Sequence, residues 1–264
     1  MTQFAPNGSC YEWHGQGPVV ALVHGLGLNR HMWRWQLPAL TPRYRVLAYD
    51  LFGHGESAKP PGRPSLKMFS DQLEGLLQAC NVQRCAVVGF SLGGMIARRF
   101  VLDHPSRASA LAILNSAHDR TRAERAAILK RVEQARQSGP DATVEAALER
   151  WFTAEFRTQN PDRMDLIRKW ITGNDPAVYP EVYRVLAEGD AEIAEPIAKI
   201  RCPTLVMTGE DDLGNSPRMA EAMADAIPGA RAIVLPGLRH MGLAEDPTAF
   251  NDLLVSFLDD AAQN

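Results

Sequence analysis

Short, almost purely apolar runs recur along the chain and alternate with stretches of helical periodicity. The apolar runs are rich in β-branched residues and are bounded by glycine or proline, as is typical of strands buried on both faces of a sheet. They cover 19–23, 45–49, 85–88, 110–114, 204–207 and 232–235. Apolar residues repeat at helical spacing in 66–79, 92–102, 219–226 and 250–258. This alternation predicts an α/β fold with a mostly parallel sheet and helices on both faces.

Two segments depart from this rhythm. The Asn7-Gly8 dipeptide predicts a small antiparallel hairpin at one edge of the sheet. Residues 118–195 contain no convincing strand, so we expect a helical cap inserted into a core formed by 1–117 and 196–264. Gly-Pro, Asn-Pro and Asp-Pro dipeptides separate the expected cap helices. These helices are predicted at 122–137, 143–156, 163–172 and 178–187.

Composition narrows the possible partners. The chain has 264 residues, 45% of them hydrophobic, and a formal net charge of −3, so it shows no basic patch for nucleic acid or a membrane surface. The longest nearly apolar stretch, 85–97, is far too short to span a bilayer. The N-terminus lacks the features of a secretory signal, which predicts a cytoplasmic location. A small molecule is therefore the expected partner, and the oligomeric state stays open.

A serine stands at the junction between a strand and a helix. Ser91 is flanked by Gly89 and Gly93 in a G-x-S-x-G pattern that follows the apolar run 85–88. Such a turn exposes the serine hydroxyl at the carboxyl edge of the sheet, and the glycines allow close chain approach. Ser91 is the candidate nucleophile.

A serine hydroxyl needs a base and an acid to become an effective nucleophile. Among the seven histidines, His240 follows the last predicted strand in a loop at the carboxyl edge, which favours it as the base. His24 is expected to have a structural role in its loop. The acid should follow the preceding strand, where Glu210, Asp211 and Asp212 stand in succession, with Asp119 as a more remote candidate.

Two backbone N–H groups should stabilise the oxyanion that forms during acyl transfer. We expect them from Leu92, which follows the nucleophile, and from Leu26, in the loop after the first parallel strand. No Walker motif, HExxH motif or His/Cys cluster occurs, and the glycine-rich segments lack the context of a dinucleotide site. The four cysteines form no CxxC pair. We expect neither a cofactor nor a metal.

Five motifs together resemble the α/β-hydrolase superfamily over nearly the whole chain. They are His-Gly-Leu-Gly at 24–27, Asp-Leu-Phe-Gly-His-Gly-Glu-Ser at 50–57, the Ser91 turn, Gly-Glu-Asp-Asp at 209–212 and the late His240. Within that superfamily, residues 147–157 and 175–179 resemble β-ketoadipate enol-lactone hydrolases, enzymes of aromatic compound catabolism. The family's G-x-x-D turn implies Asp212 as the acid, with Asp211 as the alternative one register away. A serine at position 91 also differs from the aspartate of related dehalogenases and epoxide hydrolases.

These observations predict a cofactor-free serine hydrolase of a small ester or lactone. Hydrolysis of an amide or of a carbon-carbon bond in a ring-cleavage product uses the same triad, and a non-enzymatic ligand sensor is a third alternative. Trp151 is the cap residue expected to contact substrate. An arginine should receive a substrate carboxylate, and the candidates are Arg34, Arg150, Arg157 and Arg239.

Overall fold

A single eight-stranded sheet forms the centre of the protein, whose computed structural model describes residues 1–263. The strands are β1 Gln3–Phe4, β2 Cys10–His14, β3 Val19–Val23, β4 Arg45–Tyr49, β5 Cys85–Phe90, β6 Ala108–Leu114, β7 Thr204–Gly209 and β8 Arg231–Leu235. Their order across the sheet is β1-β2-β4-β3-β5-β6-β7-β8. The pairs β1–β2 and β2–β4 are antiparallel and all other pairs are parallel. The mostly parallel sheet and its edge hairpin are confirmed.

Helices follow most of the strands. They are α1 Leu37–Leu40, α2 Leu66–Ala79, α3 Leu92–Asp103, α4 Arg122–Ser138, α5 Asp141–Trp151, α6 Ala154–Gln159, α7 Pro161–Thr172, α8 Tyr179–Glu188, α9 Asp190–Ile193, α10 Pro217–Ala226, α11 Gly242–Glu245 and α12 Pro247–Ala262. Short 3-10 helices cover Arg30–Trp35, Pro105–Arg107 and Pro196–Lys199. Helix α3 packs on β5 and β6 together with α2, while α12 packs on β6 together with α1. Two layers of helices therefore cover the sheet.

One predicted cap helix is wrong. The periodicity of 143–156 predicts a single helix, but the structure has α5 and α6, separated at Phe152 and Thr153. Phe152 adopts an extended conformation, and the Thr153 side chain accepts a hydrogen bond from the Phe156 N–H as the N-cap of α6. A capping threonine thus ended one helix and began the next, a local choice that apolar spacing does not reveal.

The carboxyl ends of the parallel strands meet at one edge of the sheet. Strands β3, β5, β6, β7 and β8 end at Val23, Phe90, Leu114, Gly209 and Leu235, and the loop after each of them starts at this edge. Open α/β sheets bind their ligands at this edge. The fold therefore brings together the loops that carry the candidate residues.

Only helices lie between β6 and β7, where α4 packs against α5 and α8, and α5 packs against α7. We use "cap" below for 118–195, and its boundaries with the core stay a prediction. Among the described residues, no helix has both the length and the apolar character needed to cross a membrane. All four cysteines are free, two of them buried and two half-buried.

Candidate active site

Ser91 occupies a strained turn between β5 and α3. Its φ of 54° and ψ of −116° lie outside the regions that serine favours. The turn is closed by the Ser91 N–H, which donates to the Leu114 carbonyl at 2.9 Å. A Cβ on Gly89 would lie 2.2 Å from the Gly93 carbonyl oxygen, and one on Gly93 would lie 2.0 Å from the Val23 carbonyl oxygen. Both glycines are therefore required by close backbone contacts, as the sequence motif suggests.

His240 links Ser91 to Asp212. The His240 Nε2 atom lies 3.1 Å from the Ser91 Oγ, and its Nδ1 atom lies 2.8 Å from the Asp212 Oδ2. The aromatic rings of Phe90 and Trp151 flank the imidazole, at centroid distances of 4.9 and 5.7 Å. All three polar side chains are buried. The structure thus brings the predicted nucleophile, base and acid into one hydrogen-bonded row.

Asp212, rather than its neighbours, faces the imidazole. Glu210, Asp211 and the remote candidate Asp119 are exposed at the surface. The Asp212 N–H donates to the Gly209 carbonyl at 3.2 Å, which closes the turn after β7 and directs this carboxylate inward.

The Asp212 carboxylate accepts further hydrogen bonds that hold it in place. Its Oδ1 accepts from the Gly214 and Asn215 N–H groups at 3.1 and 3.0 Å, and its Oδ2 accepts from the Asn115 Nδ2 at 3.0 Å. Sequence reasoning missed Asn115. Its position directly after β6, at the carboxyl edge of the sheet, was the available signal.

The loop after β3 lies beside the nucleophile. A Cβ on Gly25 would lie 3.2 Å from the Ser91 Cβ, and Leu26 lines the same cavity as Ser91. Leu92 is the first residue of α3. Neither the Leu26 nor the Leu92 N–H donates a hydrogen bond to any group among residues 1–263. Both amides are therefore free to bind a substrate oxygen.

Two buried histidines fix this loop. The His54 Nε2 accepts from the Gly27 N–H at 3.0 Å, and the His24 Nε2 accepts from the Leu51 N–H at 2.9 Å. Burial lowers the pKa of His24 to about 4 and that of His54 to about 3, so both rings are neutral near pH 7. The structural role expected for His24 agrees with these contacts, and His54 shares it.

The site opens into a small cavity of about 80 Å³ between the sheet and the cap. This volume is well below the 300 to 1,000 Å³ typical of sites for drug-sized ligands, so a small ligand fits best. The core contributes Ser91, His240 and Leu26 to the wall. The cap contributes Trp151, the expected substrate contact, and several polar side chains. These are Arg120, Arg131, Thr143, Arg150, Tyr179 and Tyr183.

Only one of the four arginines expected as carboxylate ligands lies at the cavity. Arg150 lines the cavity, whereas Arg34, Arg157 and Arg239 do not. The Arg239 guanidinium instead donates to the carbonyls of Glu149 and Phe152 at the end of α5. Sequence reasoning missed Arg131. That residue lies three positions after Ile128 and four before Ala135 on the buried face of α4, and this apolar setting was its signal.

One cluster of metal-ligand type lies among the described residues, formed by Cys10, Asp50 and Glu56. The Arg30 guanidinium donates to both carboxylates and so supplies the positive charge that balances them. Burial also raises the pKa of the Cys10 thiol to about 12, which disfavours the thiolate that a metal needs. The cluster is better explained as a structural ion-pair network.

The end of α5 is bonded to the segment that carries His240. The Met241 N–H donates to the Trp151 carbonyl at 2.9 Å. The Glu245 carboxylate accepts from the Thr153 N–H and hydroxyl at 2.8 and 2.7 Å. Cap and base therefore share one hydrogen-bond network.

Comparison with known proteins agrees with this architecture. The sequence profile of the alpha/beta hydrolase fold matches residues 18–247. The chain is 30% identical to the (E)-2-((N-methylformamido)methylene)succinate hydrolase of Acinetobacter baylyi over 94% of its own length and 93% of that protein. It is also 30% identical to a Klebsiella pneumoniae protein named as a carbamate hydrolase, over 92% of this chain and 91% of that one.

A solved structure supports the same assignment. The enol-lactonase of Burkholderia xenovorans superposes with a TM-score of 0.89 at 30% identity, covering 96% of this chain and 98% of the other. The resemblance to enol-lactonases is thus confirmed at the level of fold, and the relatives are named as hydrolases. With the profile matching most of its length, the chain belongs to the α/β-hydrolase family.

Proposed function

We propose that this protein is a cofactor-independent serine hydrolase that cleaves a small carboxylic ester or lactone through an acyl-enzyme. The observation that carries the proposal is the row from Asp212 through His240 to Ser91, with both distances within hydrogen-bond reach. The small cavity and the likeness to an enol-lactonase favour a compact substrate.

In the first half of the reaction, the Ser91 Oγ attacks the carbonyl carbon while its proton passes to the His240 Nε2. Asp212 orients the imidazole by accepting from Nδ1 and stabilises the imidazolium. The Leu26 and Leu92 N–H groups receive the negative charge that develops on the carbonyl oxygen. The intermediate collapses as His240 gives its proton to the departing alkoxide or enolate oxygen, which leaves the acyl group on Ser91.

In the second half, water replaces the leaving group. His240 accepts a proton from the water as its oxygen attacks the acyl carbon, and the Ser91 oxygen then departs with the proton held on Nε2. The products are a carboxylic acid and an alcohol, which for a lactone are parts of one molecule. Trp151 would contact the acyl part from the cap side.

A second candidate reaction is cleavage of a carbonyl–nitrogen bond. It is favoured by the relatives, one of which is named for a formamido-bearing substrate and another for a carbamate. The same residues would act, and His240 would protonate a leaving nitrogen instead of an oxygen.

The test is turnover of purified protein on a carboxylated enol-lactone, followed by loss of ultraviolet absorbance, and on p-nitrophenyl acetate. We expect many cycles per molecule and a loss of at least about 10⁴-fold in kcat for Ser91→Ala. Ser256→Ala, an exposed position in α12, is the matched control and should keep its activity.

Each result has a defined meaning. Single-cycle reaction would indicate a ligand sensor, and turnover that survives Ser91→Ala would refute the nucleophile. Turnover confined to carbamates or amides would select the second candidate.

A further inference from the structure

The cap side of the cavity carries an uncompensated positive charge. Arg120, Arg131 and Arg150 line the cavity, and Asp212 is the one carboxylate among its described lining residues. Asp212 accepts hydrogen bonds from His240, Asn115 and two backbone amides, and it forms no ion pair with any of these guanidiniums.

Arg120 is anchored by the protein itself. Its guanidinium donates to the Leu186 carbonyl at 2.7 Å and lies 3.4 Å from the Asn215 Oδ1. Burial lowers its pKa to about 10, and the charge of buried Asp190 partly opposes that effect. The Asp190 carboxylate also accepts from the Arg120 N–H at 2.8 Å. Arg120 therefore has a structural counterion.

Arg131 and Arg150, which we call the cap arginine pair, form no ion pair with a carboxylate of the described residues. The Arg131 Nε donates to the Tyr183 hydroxyl at 2.9 Å. Arg150 makes no hydrogen bond or ion pair with any residue in 1–263. Burial together with the nearby Arg131 charge lowers its pKa, and the adjacent Glu149 carboxylate only partly opposes that effect. Two half-buried like charges close together are unfavourable unless an anion lies between or beside them.

Two other arginines of the cap do pair with carboxylates. Arg136 pairs with Glu181 at 2.8 Å, and Arg168 pairs with Glu145 at 2.6 Å. These two arginines on the outer surface thus have carboxylate partners, whereas neither Arg131 nor Arg150 forms an ion pair with another described residue. In so small a cavity, a ligand that reaches Ser91 also reaches this wall.

We propose that the cap arginine pair selects a substrate with two carboxylate groups besides the bond that is cleaved. Each guanidinium presents a planar fork of donors that matches one carboxylate, and neither is held in an ion pair by the described residues. The inference rests on the proposed function only in placing the cleaved bond at Ser91. Anion binding itself is independent of catalysis.

Calorimetric titration of full-length Ser91→Ala protein tests the anion site without turnover. Succinate, the probe, should bind at least about 10-fold more tightly than butyrate, which has the same carbon chain and one carboxylate. Adding Arg131→Gln or Arg150→Gln should weaken succinate binding by about 10- to 100-fold, the effect of removing a charge-assisted hydrogen bond. Arg136→Gln, on the same helix as Arg131 but paired at the surface, is the matched control and should bind succinate like the parent.

Equal affinity for the two acids, or unchanged affinity in both glutamine variants, would overturn the inference. If a glutamine variant fails to fold, Arg131→Lys or Arg150→Lys replaces it, because lysine keeps the charge and loses the fork; binding as tight as in the parent would then also overturn it. Hydrolysis of p-nitrophenyl acetate without a preference for succinate would refute the dicarboxylate substrate and leave the proposed hydrolase activity standing. Preference for succinate without Ser91-dependent hydrolysis would refute the proposed hydrolase activity and leave the dicarboxylate site standing.

Discussion

Ser91 shows how a single residue can be held in an unfavourable conformation by its surroundings. A positive φ costs a non-glycine residue of order 1 kcal/mol or more. The neighbouring chain repays this cost, since Ser91 N–H binds the β6 carbonyl of Leu114 and the Ser116 hydroxyl donates to the Ser91 carbonyl at 2.7 Å. The Ser91 hydroxyl is thereby held 3.1 Å from the His240 Nε2 atom.

Asp212 and Asp211 offer a test between adjacent carboxylates. Asp212→Asn should lower kcat by about 10³- to 10⁴-fold, because an amide at this position no longer fixes the Nδ1–H tautomer of His240. Asp211→Asn changes an exposed side chain and should alter kcat by less than about 3-fold. Steady-state kinetics on one activated ester decides between them, and the opposite ranking would show that the acid is Asp211.

At the scale of single residues, the sequence reveals those whose type and local context are sufficient to predict their role. Ser91 and His240 are predictable because a strand, a turn and a chain order frame them. The choice among Glu210, Asp211 and Asp212 depends on the path of a turn, which only the family resemblance suggested. Asn115 and Arg131 have only weak local signals, the end of a strand and the apolar face of a helix, and their roles depend on partners far away in the sequence.

At the scale of elements, the break between α5 and α6 matters most. Thr153 caps α6 through the Phe156 N–H at 3.3 Å and also donates its hydroxyl to Glu245. The break turns the chain where the Trp151 carbonyl meets Met241. A continuous helix over 143–156 would not leave these groups free to bond the His240 segment.

Thr153→Ala should destabilise the protein by about 1 to 2 kcal/mol, because the cap of α6 and the hydroxyl bond to Glu245 are both lost. Thr158→Ala is the matched control. Its exposed hydroxyl bonds only the Ala154 carbonyl within its own helix, so its effect should stay within about 0.5 kcal/mol. Urea unfolding at pH 7 measures both, and equal losses would contradict the capping role.

Strands were more predictable than the cap helices. The runs at 19–23 and 45–49 match β3 and β4 residue for residue, because their side chains after the exposed Arg45 and the half-buried Val19 are apolar and buried. Strands β5 and β7 extend two residues beyond the prediction, into the Gly-Phe and Thr-Gly steps that lead to the site. Gly89 and Gly209 interrupt the run of aliphatic side chains, so the apolar pattern does not show that these strands continue.

For the whole molecule, the buried neutral histidines make stability depend on pH. The pKa of His24 is lowered to about 4 and that of His54 to about 3, against about 6.5 in an unfolded chain. Between those values the unfolded state binds more protons than the folded state, so the free energy of unfolding decreases as pH falls below 6.5. Each histidine accounts for about 2 kcal/mol of this decrease between pH 7 and 5.

His54→Gln removes one titrating ring and keeps a hydrogen-bond acceptor for the Gly27 N–H. The loss of unfolding free energy between pH 7 and 5 should therefore be smaller in this variant than in the wild type by about 2 kcal/mol. Urea unfolding at pH 7 and at pH 5 gives, for each protein, the change in unfolding free energy between the two pH values. A destabilisation of the variant that is equal at both pH values therefore cancels. A decrease as large as that of the wild type would show that His54 is not buried in its neutral form.

The hydrogen bond between Met241 and Trp151 restricts how such an enzyme can diversify. Met241, the residue after His240, and Trp151, which lines the cavity from the cap, are joined through their backbones, and Arg239 and Glu245 reinforce the link. A cap transplanted from a relative would bring that relative's substrate preference, but it would lack the residues that bond to segment 239–245 of this chain. Successful exchange, in evolution or in engineering, should therefore transfer the cap and this C-terminal segment as one inherited unit.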